Sequence, residues 1–243
     1  LSAPDISLVI PAYNEARYLP RLLDSVEVAR GRFEAGDGRL EVIVADNGST
    51  DATAAVAAAR GCRVVPAAPR NIAAVRNAGT RAATGEIVAW VDADHRIHPD
   101  TFVVITDLMR NPGIIGGSSG AWLERWSIPL ALTYAMLVPF VWLTGFDTGV
   151  VFCRRADFEA TGGYDERYRF AEDVLFLVAL RRLGKRRGQR LVRARGIKVI
   201  ASTRKFDEFG DWHYFGMLGR APALLFGARF DALADRYWYN PKR

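Results

Sequence analysis

Cysteine, histidine and glutamine are scarce in this sequence of 243 residues, which holds two cysteines, three histidines and one glutamine. Cys62 and Cys153 lie far apart, form no CxxC and have no paired histidines, which excludes a structural zinc site and predicts reduced, buried thiols. No Gly-x-Gly-x-x-Gly follows a strand-like run and no Gly-x4-Gly-Lys-Ser/Thr occurs, which excludes a dinucleotide dehydrogenase and a P-loop NTPase. Repeats and low-complexity tracts are absent, so disorder, collagen and coiled coil are excluded. The first apolar run begins at Ile6 and leaves no room for a basic and then apolar leader, which predicts a cytoplasmic protein. Charge is missing over the nineteen residues 128–146, near the lower limit for a membrane span, but Pro129 and Pro139 interrupt them. A crossing there would put the acidic residues before and after it on opposite sides of a bilayer. The expectation is instead a buried or interfacial pair of helices.

What is present is the length and balance of one α/β domain, with 50% hydrophobic and 25% charged residues. Such a chain buries roughly 70–75% of its unfolded surface and needs no disulfide to hold a core. Short apolar runs alternate with longer amphipathic or Ala-rich stretches, the pattern of a mostly parallel sheet with crossover helices. Strands are predicted at residues 6–10, 40–45, 62–65, 86–91, 114–118, 149–153 and 197–201. Helices are predicted at 16–30, 51–60, 72–83, 99–110, 172–183 and 206–218. Net charge is +6, divided as −3 over residues 1–147 and +9 over 148–243. A basic half suits nucleic acid, anionic lipid or a phosphorylated substrate, and charge alone does not choose among them.

Asp92-Ala93-Asp94 follows the apolar run Ile87–Val91, at the carboxyl end of a predicted central strand, where open α/β sheets bind ligands. Two hard oxygen donors there suit Mg²⁺ or Mn²⁺, the remaining positions going to water and phosphate oxygens; an Asx turn or helix cap explains the same residues structurally. Asp46 ends the second strand in the same way. Asn47-Gly48 reads as a turn and residues 49–51 as a cap for the next helix, but capping does not account for Asp46. Pro11-Ala12-Tyr13-Asn14-Glu15 closes the first strand, with Tyr13 suited to stack on a base and Glu15 to accept from a hydroxyl; a capped helix start is the plainer reading.

Four segments, LVIPAYNEARYLPRLLDSV, EVIVADNGSTDAT, NIAAVRNAGTRAATGEIVAWVDADHRIHPDTF and GGYDERYRFAEDVLFLVALRRLG, resemble successive blocks of the inverting family 2 glycosyltransferases over roughly residues 5–184. The resemblance implies the GT-A fold: a single domain over 1–243 with one mixed, mostly parallel sheet flanked by helices. Residues 1–118 would form a Rossmann-like nucleotide-sugar half, and 119–243 the half that binds the acceptor and holds the catalytic base. It implies a nucleotide-sugar donor, UDP-sugar ahead of GDP-sugar, and Mn²⁺ or Mg²⁺ bound by the DxD. Carried over, Pro11, Tyr13 and Glu15 line the nucleoside pocket, Asp46 bonds the base and Arg76 faces donor phosphate or sugar. Asp92 contacts ribose or metal, and Asp94 ligates the metal. Glu172-Asp173 matches the Glu-Asp motif, with Asp173 as the base. Asn47 stands where many members carry a second Asp.

Beyond residue 184 the resemblance thins. The Gln-x-x-Arg-Trp of the processive synthases is absent, since the single glutamine, Gln189, is followed by Arg190-Leu191-Val192-Arg193. One sugar per encounter is the expectation. Arg204, in Ser202-Thr203-Arg204-Lys205, offers a cation to the diphosphate, and His213 is a candidate third metal ligand or a structural histidine beside Trp212. The basic run 181–198 lacks the aromatic interleaving of a nucleic-acid site. It reads as a solvated face or, with the uncharged stretch and the aromatic tail 237–239, as a peripheral contact with the inner face of a membrane carrying a lipid-linked acceptor. Two other functions share these features: a nucleotidyltransferase, which normally shows a Gly-rich, Arg-containing loop after the first strand, and a catalytically silent sugar-nucleotide-binding module.

Overall fold

The computed structural model describes residues 3–144, 148–168 and 171–212. Its centre is a seven-stranded sheet of order β3-β2-β1-β4-β7-β5-β8, built from β1 (Ile6–Ala12), β2 (Leu40–Asp46), β3 (Arg63–Pro66), β4 (Ile87–Trp90), β5 (Ile114–Ser118), β7 (Val151–Arg154) and β8 (Arg190–Arg193). A two-stranded ribbon pairs β6 (Ala121–Leu123) with β9 (Val199–Ala201). All pairings in the main sheet are parallel except those of β7, which runs antiparallel between β4 and β5. The expected α/β architecture, a mixed and mostly parallel sheet flanked by helices, is the observed one.

Alternation along the strands divides the core in two. Ile6, Leu8 and Ile10 of β1 with Ala89 of β4 face α1 (Leu19–Glu34) and α4 (Thr101–Met109), whose buried stripes include Leu19, Leu22, Val26, Phe102 and Ile105. Val9, Val88 and Trp90 face the opposite layer of α3 (Ile72–Ala82), α6 (Arg155–Thr161) and α7 (Glu172–Arg186). Trp90 anchors that layer, with Tyr164 and Phe176 edge-on to its ring at 5.5 and 5.4 Å and its indole N–H donated to Thr80. Pro11 sits inside β1 although it cannot donate to a ladder. The β4 ladder on the side that its missing N–H would face ends with the bond from Val91 N–H to Val9 O, so no bond is forfeited.

Several boundaries differ from the sequence expectation. β1 runs on to Ala12, and α2 is limited to Thr53–Ala59. The uncharged stretch forms one helix, α5 (Ile128–Thr144), rather than a pair, with Pro129 in the first turn, where helices tolerate it. No helix among the described residues is long and apolar enough to cross a membrane. The expected helix 206–218 begins at Arg204 as α8 (Arg204–Phe209) and stops at Gly210; residues 213–218, His213 among them, and the aromatic tail lie outside the described residues. Part of the basic run is architecture: Arg190–Arg193 is the edge strand β8, and Arg187 pairs with the buried Asp157 at 2.6 Å.

Candidate active site

Because β1, β2, β3 and β4 are mutually parallel, their carboxyl ends share one edge of the sheet. Tyr13-Asn14-Glu15, Asp46-Asn47 and Asp92-Ala93-Asp94 leave the sheet there. Asn14 adopts φ 54°, and the loop is braced from the segment after β2: Asn14 N–H donates to Ser49 Oγ (2.9 Å), Glu15 N–H to Thr53 Oγ1 (2.7 Å) and Ala16 N–H to Asp51 Oδ2 (3.1 Å). Residues 49–53 thus hold the first loop as well as starting a helix. Asp46 Oδ2 accepts from Ser49 N–H at 3.2 Å, whereas its Oδ1 is buried with no hydrogen-bond partner. The Arg70 guanidinium lies 3.8 Å from the centre of the Tyr13 ring.

Arg76 reaches the same edge from α3. Asn71 caps this helix by accepting from Ala73 N–H (2.8 Å), and a side chain on Gly79 would collide with Val9, so the helix lies close on the sheet. The Arg76 guanidinium donates at 2.8 Å to Asp92 Oδ1 and at 2.8 Å to Glu172 Oε1, joining the end of β4 to the start of α7. Asn77, one residue on, donates to Tyr164 O (2.9 Å) and Glu166 Oε1 (2.8 Å) and accepts from Tyr164 N–H (2.9 Å). α3 thereby fixes the segment leading to Glu172-Asp173. Ala171, just before α7, has φ 57°, a left-handed conformation unusual for alanine and typical of functional corners.

A second arginine closes the other side. Arg204 forks onto Glu15, both bonds at 2.6 Å, and its Nε stands 2.9 Å from Asp94 Oδ2. The latter contact lacks hydrogen-bond geometry and is held by charge. The guanidinium also lies 4.7 Å from the centre of the Tyr18 ring. His95 Nε2 is 3.8 Å from Asp94 Oδ1. Arg125 clamps the flank by pairing with Asp207 and Asp211, both at 2.6 Å.

The charges set the electrostatics. Burial acts to raise the Asp92 carboxyl, but Arg76, helped by His95 and Lys205, outweighs it and holds the group down at about 2. Glu172 goes the other way: burial, only partly countered by Arg76 and reinforced by Asp173, pushes it up to about 7. Burial raises Asp173 as well, against the pull of Arg76. Lys205 is brought down to about 8 by burial, with Asp94 and Asp92 opposing. Among the described residues no three His, Cys, Asp or Glu side chains converge as a complete metal cage. The pair Asp92 and Asp94 fits an ion that takes its other ligands from phosphate and water.

Every sequence-derived candidate within the described residues, Pro11, Tyr13, Glu15, Asp46, Arg76, Asp92, Asp94, Glu172, Asp173 and Arg204, belongs to this edge or to the chain that closes over it. Two are held differently from expectation. Glu15 gives both carboxylate oxygens to Arg204, and Arg76 gives its guanidinium to Asp92 and Glu172. Neither Asn77 nor the Asn71 cap stands out in the sequence. Pairings such as Arg76–Glu172, ninety-six positions apart, leave no local pattern to read.

The fold, an α/β one with a mixed and mostly parallel sheet flanked by helices, matches that of GT-A glycosyltransferases of known structure. Residues 7–126, just under half of the chain, match the model of Glycosyl transferase family 2. A mannosyltransferase of Pyrobaculum calidifontis, solved with GDP-Man and Mn²⁺, superposes with TM-score 0.63 at 21% identity, over 82% of this chain and 57% of that one. Glucosyl-3-phosphoglycerate synthase of Mycobacterium tuberculosis, solved with Mn²⁺, UDP and glucosyl-3-phosphoglycerate, superposes with TM-score 0.60 at 23% identity, over 85% of this chain and 75% of that one. In sequence, the succinoglycan biosynthesis protein ExoO of Rhizobium meliloti is 35% identical over 101 residues, 40% of this chain and 27% of that protein. The matched segments span at most 36% of the curated relatives' own length.

Proposed function

We propose that the protein is a non-processive, inverting glycosyltransferase that moves one sugar from a nucleotide-diphosphate sugar to an acceptor hydroxyl. The reading rests on the gathering of Asp46, Asp92, Asp94, Glu172 and Asp173 at one edge of a family 2 domain. The buried, unsatisfied Asp46 Oδ1 suits the ring N–H of uracil or guanine, and Tyr13 suits the base face. UDP-sugar is the first donor to test, and the GDP-Man and UDP complexes of the structural neighbours keep both nucleotides in view. Residues 1–118 would serve the donor and 119–243 the acceptor and base.

Asp92 and Asp94 would hold Mn²⁺ or Mg²⁺, which when bound offsets the charge of the departing diphosphate. Asp173 is assigned as the base. Glu172 has an oxygen committed to Arg76, whereas Asp173 is half-buried, carries a raised proton affinity and has its Oδ1 oriented by Val174 N–H at 2.8 Å. It removes the acceptor hydroxyl proton as the acceptor oxygen bonds the anomeric carbon and the carbon–phosphate oxygen bond breaks on the opposite face. A panel of UDP-, GDP- and dTDP-sugars with Mn²⁺, read by thermal shift and slow donor hydrolysis, tests the reading. A nucleotide-dependent shift without donor hydrolysis or transfer would favour the silent sugar-nucleotide-binding module, and absence of any shift would overturn the donor reading.

One observation favours a membrane-proximal acceptor at the cytoplasmic face. Trp122, Trp126, Ile128, Leu132 and Met136 are exposed apolar side chains around β6 and α5; Ile200, in β9 beside β6, and Trp212, just after α8, are exposed as well. Contiguous exposed apolar side chains mark interaction surfaces. Flotation with neutral and anionic liposomes tests it: recovery only with anionic vesicles at low salt supports the contact, and equal or no recovery overturns it.

A further inference from the structure

Arg204 is mounted by one set of bonds and poised by another. Its two terminal nitrogens fork onto Glu15, a carboxylate braced through its backbone N–H by Thr53, and only its Nε faces Asp94, by charge without hydrogen-bond geometry. The guanidinium therefore occupies the space beside Asp94 Oδ2, where a ligated cation would stand. Side chains here are largely shielded, with Arg204 19%, Glu15 8% and Asp94 13% exposed, so the attraction is weakly screened. A divalent ion and a guanidinium repel each other, so the two compete for this carboxylate.

We propose that Arg204 is an internal counter-cation of Asp94, released to the divalent ion only when a nucleotide diphosphate arrives to accept the displaced positive charge. This rests on the glycosyltransferase reading of the site. Three consequences follow from charge. Without nucleotide, an ion must take Asp94 from Arg204 while that cation, still held by Glu15, stays close to it, so the ion alone binds weakly. With nucleotide, the diphosphate receives both cations, so ion and nucleotide each tighten the other, and by the same factor. The fork to Glu15 lets Arg204 yield Asp94 while staying at the site. Arg76 holds Asp92 with two hydrogen-bonding partners and lacks this loose contact, so the device belongs to Arg204.

The test is titration of the full chain with Mn²⁺, reading free ion by EPR, with and without UDP. Wild-type protein should bind Mn²⁺ alone weakly and bind it at least about tenfold tighter with UDP present. Arg204→Gln should bind Mn²⁺ alone about fivefold or more tighter than wild type, with a smaller gain from UDP. Arg204→Lys, which keeps the charge but loses the fork, should lie between the two, and it carries the test if the Gln variant fails to melt as a folded protein. Unchanged or weaker Mn²⁺ binding by these variants without UDP, while wild type binds Mn²⁺ and UDP together, overturns this proposal alone. No Mn²⁺ binding by wild type even with UDP overturns the metal reading of the site and this proposal with it.

Discussion

Arg76 Nη1 and Glu172 Oε1, 2.8 Å apart, join the third helix to the first residue of the helix that carries the assigned base. The same guanidinium holds Asp92 at 2.8 Å, so one buried cation sets the relative positions of the DxD and Glu-Asp segments. Arg76 is 7% exposed and Glu172 9%, which leaves little water to replace the bond. Removing the cation strands two carboxylates. Arg76→Met should therefore lower stability by about 2–4 kcal/mol, the lower part of the range for breaking a buried pair because Asp92 is more exposed. Arg76→Lys, which cannot make two planar bonds at once, should recover less than half of the loss. Urea denaturation measures both.

The pH behaviour follows from the opposite shifts of Asp92 and Glu172. Asp92 is held at about 2 in the folded protein. Its contribution is fully present above the ordinary unfolded carboxylate value and is lost as pH falls through about 4 toward 2. Glu172 is raised to about 7, so between about 4.3 and 7 the folded state binds the extra proton and stability declines as pH rises across that window. Glu172→Gln should flatten this decline between pH 5 and 8 in melting temperature. Turnover should move the other way, rising with pH through neutrality as Glu172, at about 7, and the neighbouring Asp173, also raised by burial, lose their protons. A flat rate between pH 6 and 8 would contradict this.

Much of the site was legible because strand ends carry it. An apolar run followed by Asp92-Ala93-Asp94, or by Asp46, declares both its place in the sheet and its polar end. A resemblance in ordered blocks extended that to Glu172-Asp173. What escaped was set by tertiary contact. β8 is the sequence Arg-Leu-Val-Arg at the edge of the sheet, with Arg190 exposed and Arg193 half-buried, so composition alone suggests a solvated face. α5 reads as two helices because Pro139 is expected to end one, yet the helix runs through that position from Ile128 to Thr144, and Pro129 falls in the first turn, where helices tolerate it. The Glu15–Arg204 fork spans almost the whole described chain and leaves no periodicity behind.

Asp173 and Glu172 should separate by function. A base acts on the acceptor and contributes little to nucleotide binding, so Asp173→Asn should lower turnover by roughly 10² to 10⁴ with UDP affinity changed less than about threefold. Glu172→Gln keeps a polar partner for Arg76 and should lower turnover less. Steady-state rates and UDP titration, taken with melting curves showing both variants folded, measure the difference. The reverse ranking transfers the role to Glu172.

On the metal reading Asp94 must exchange partners, because its Oδ2 faces the Arg204 cation. A nucleotide diphosphate is anionic and meets two carboxylates at this edge, so its binding needs additional positive charge beyond Arg204 and Lys205, the latter partly neutral near pH 8. Excess chelator should therefore abolish turnover, and Asp94→Ala should reduce it by at least about 10²-fold, with Mn²⁺ restoring the chelated wild type but not the variant. Calorimetric UDP titrations should show the same pattern, with binding tightened by Mn²⁺ in wild type and insensitive to Mn²⁺ in Asp94→Ala. Turnover within a few-fold of wild type in the variant would remove Asp94 from the metal site and leave Arg204 as its permanent partner.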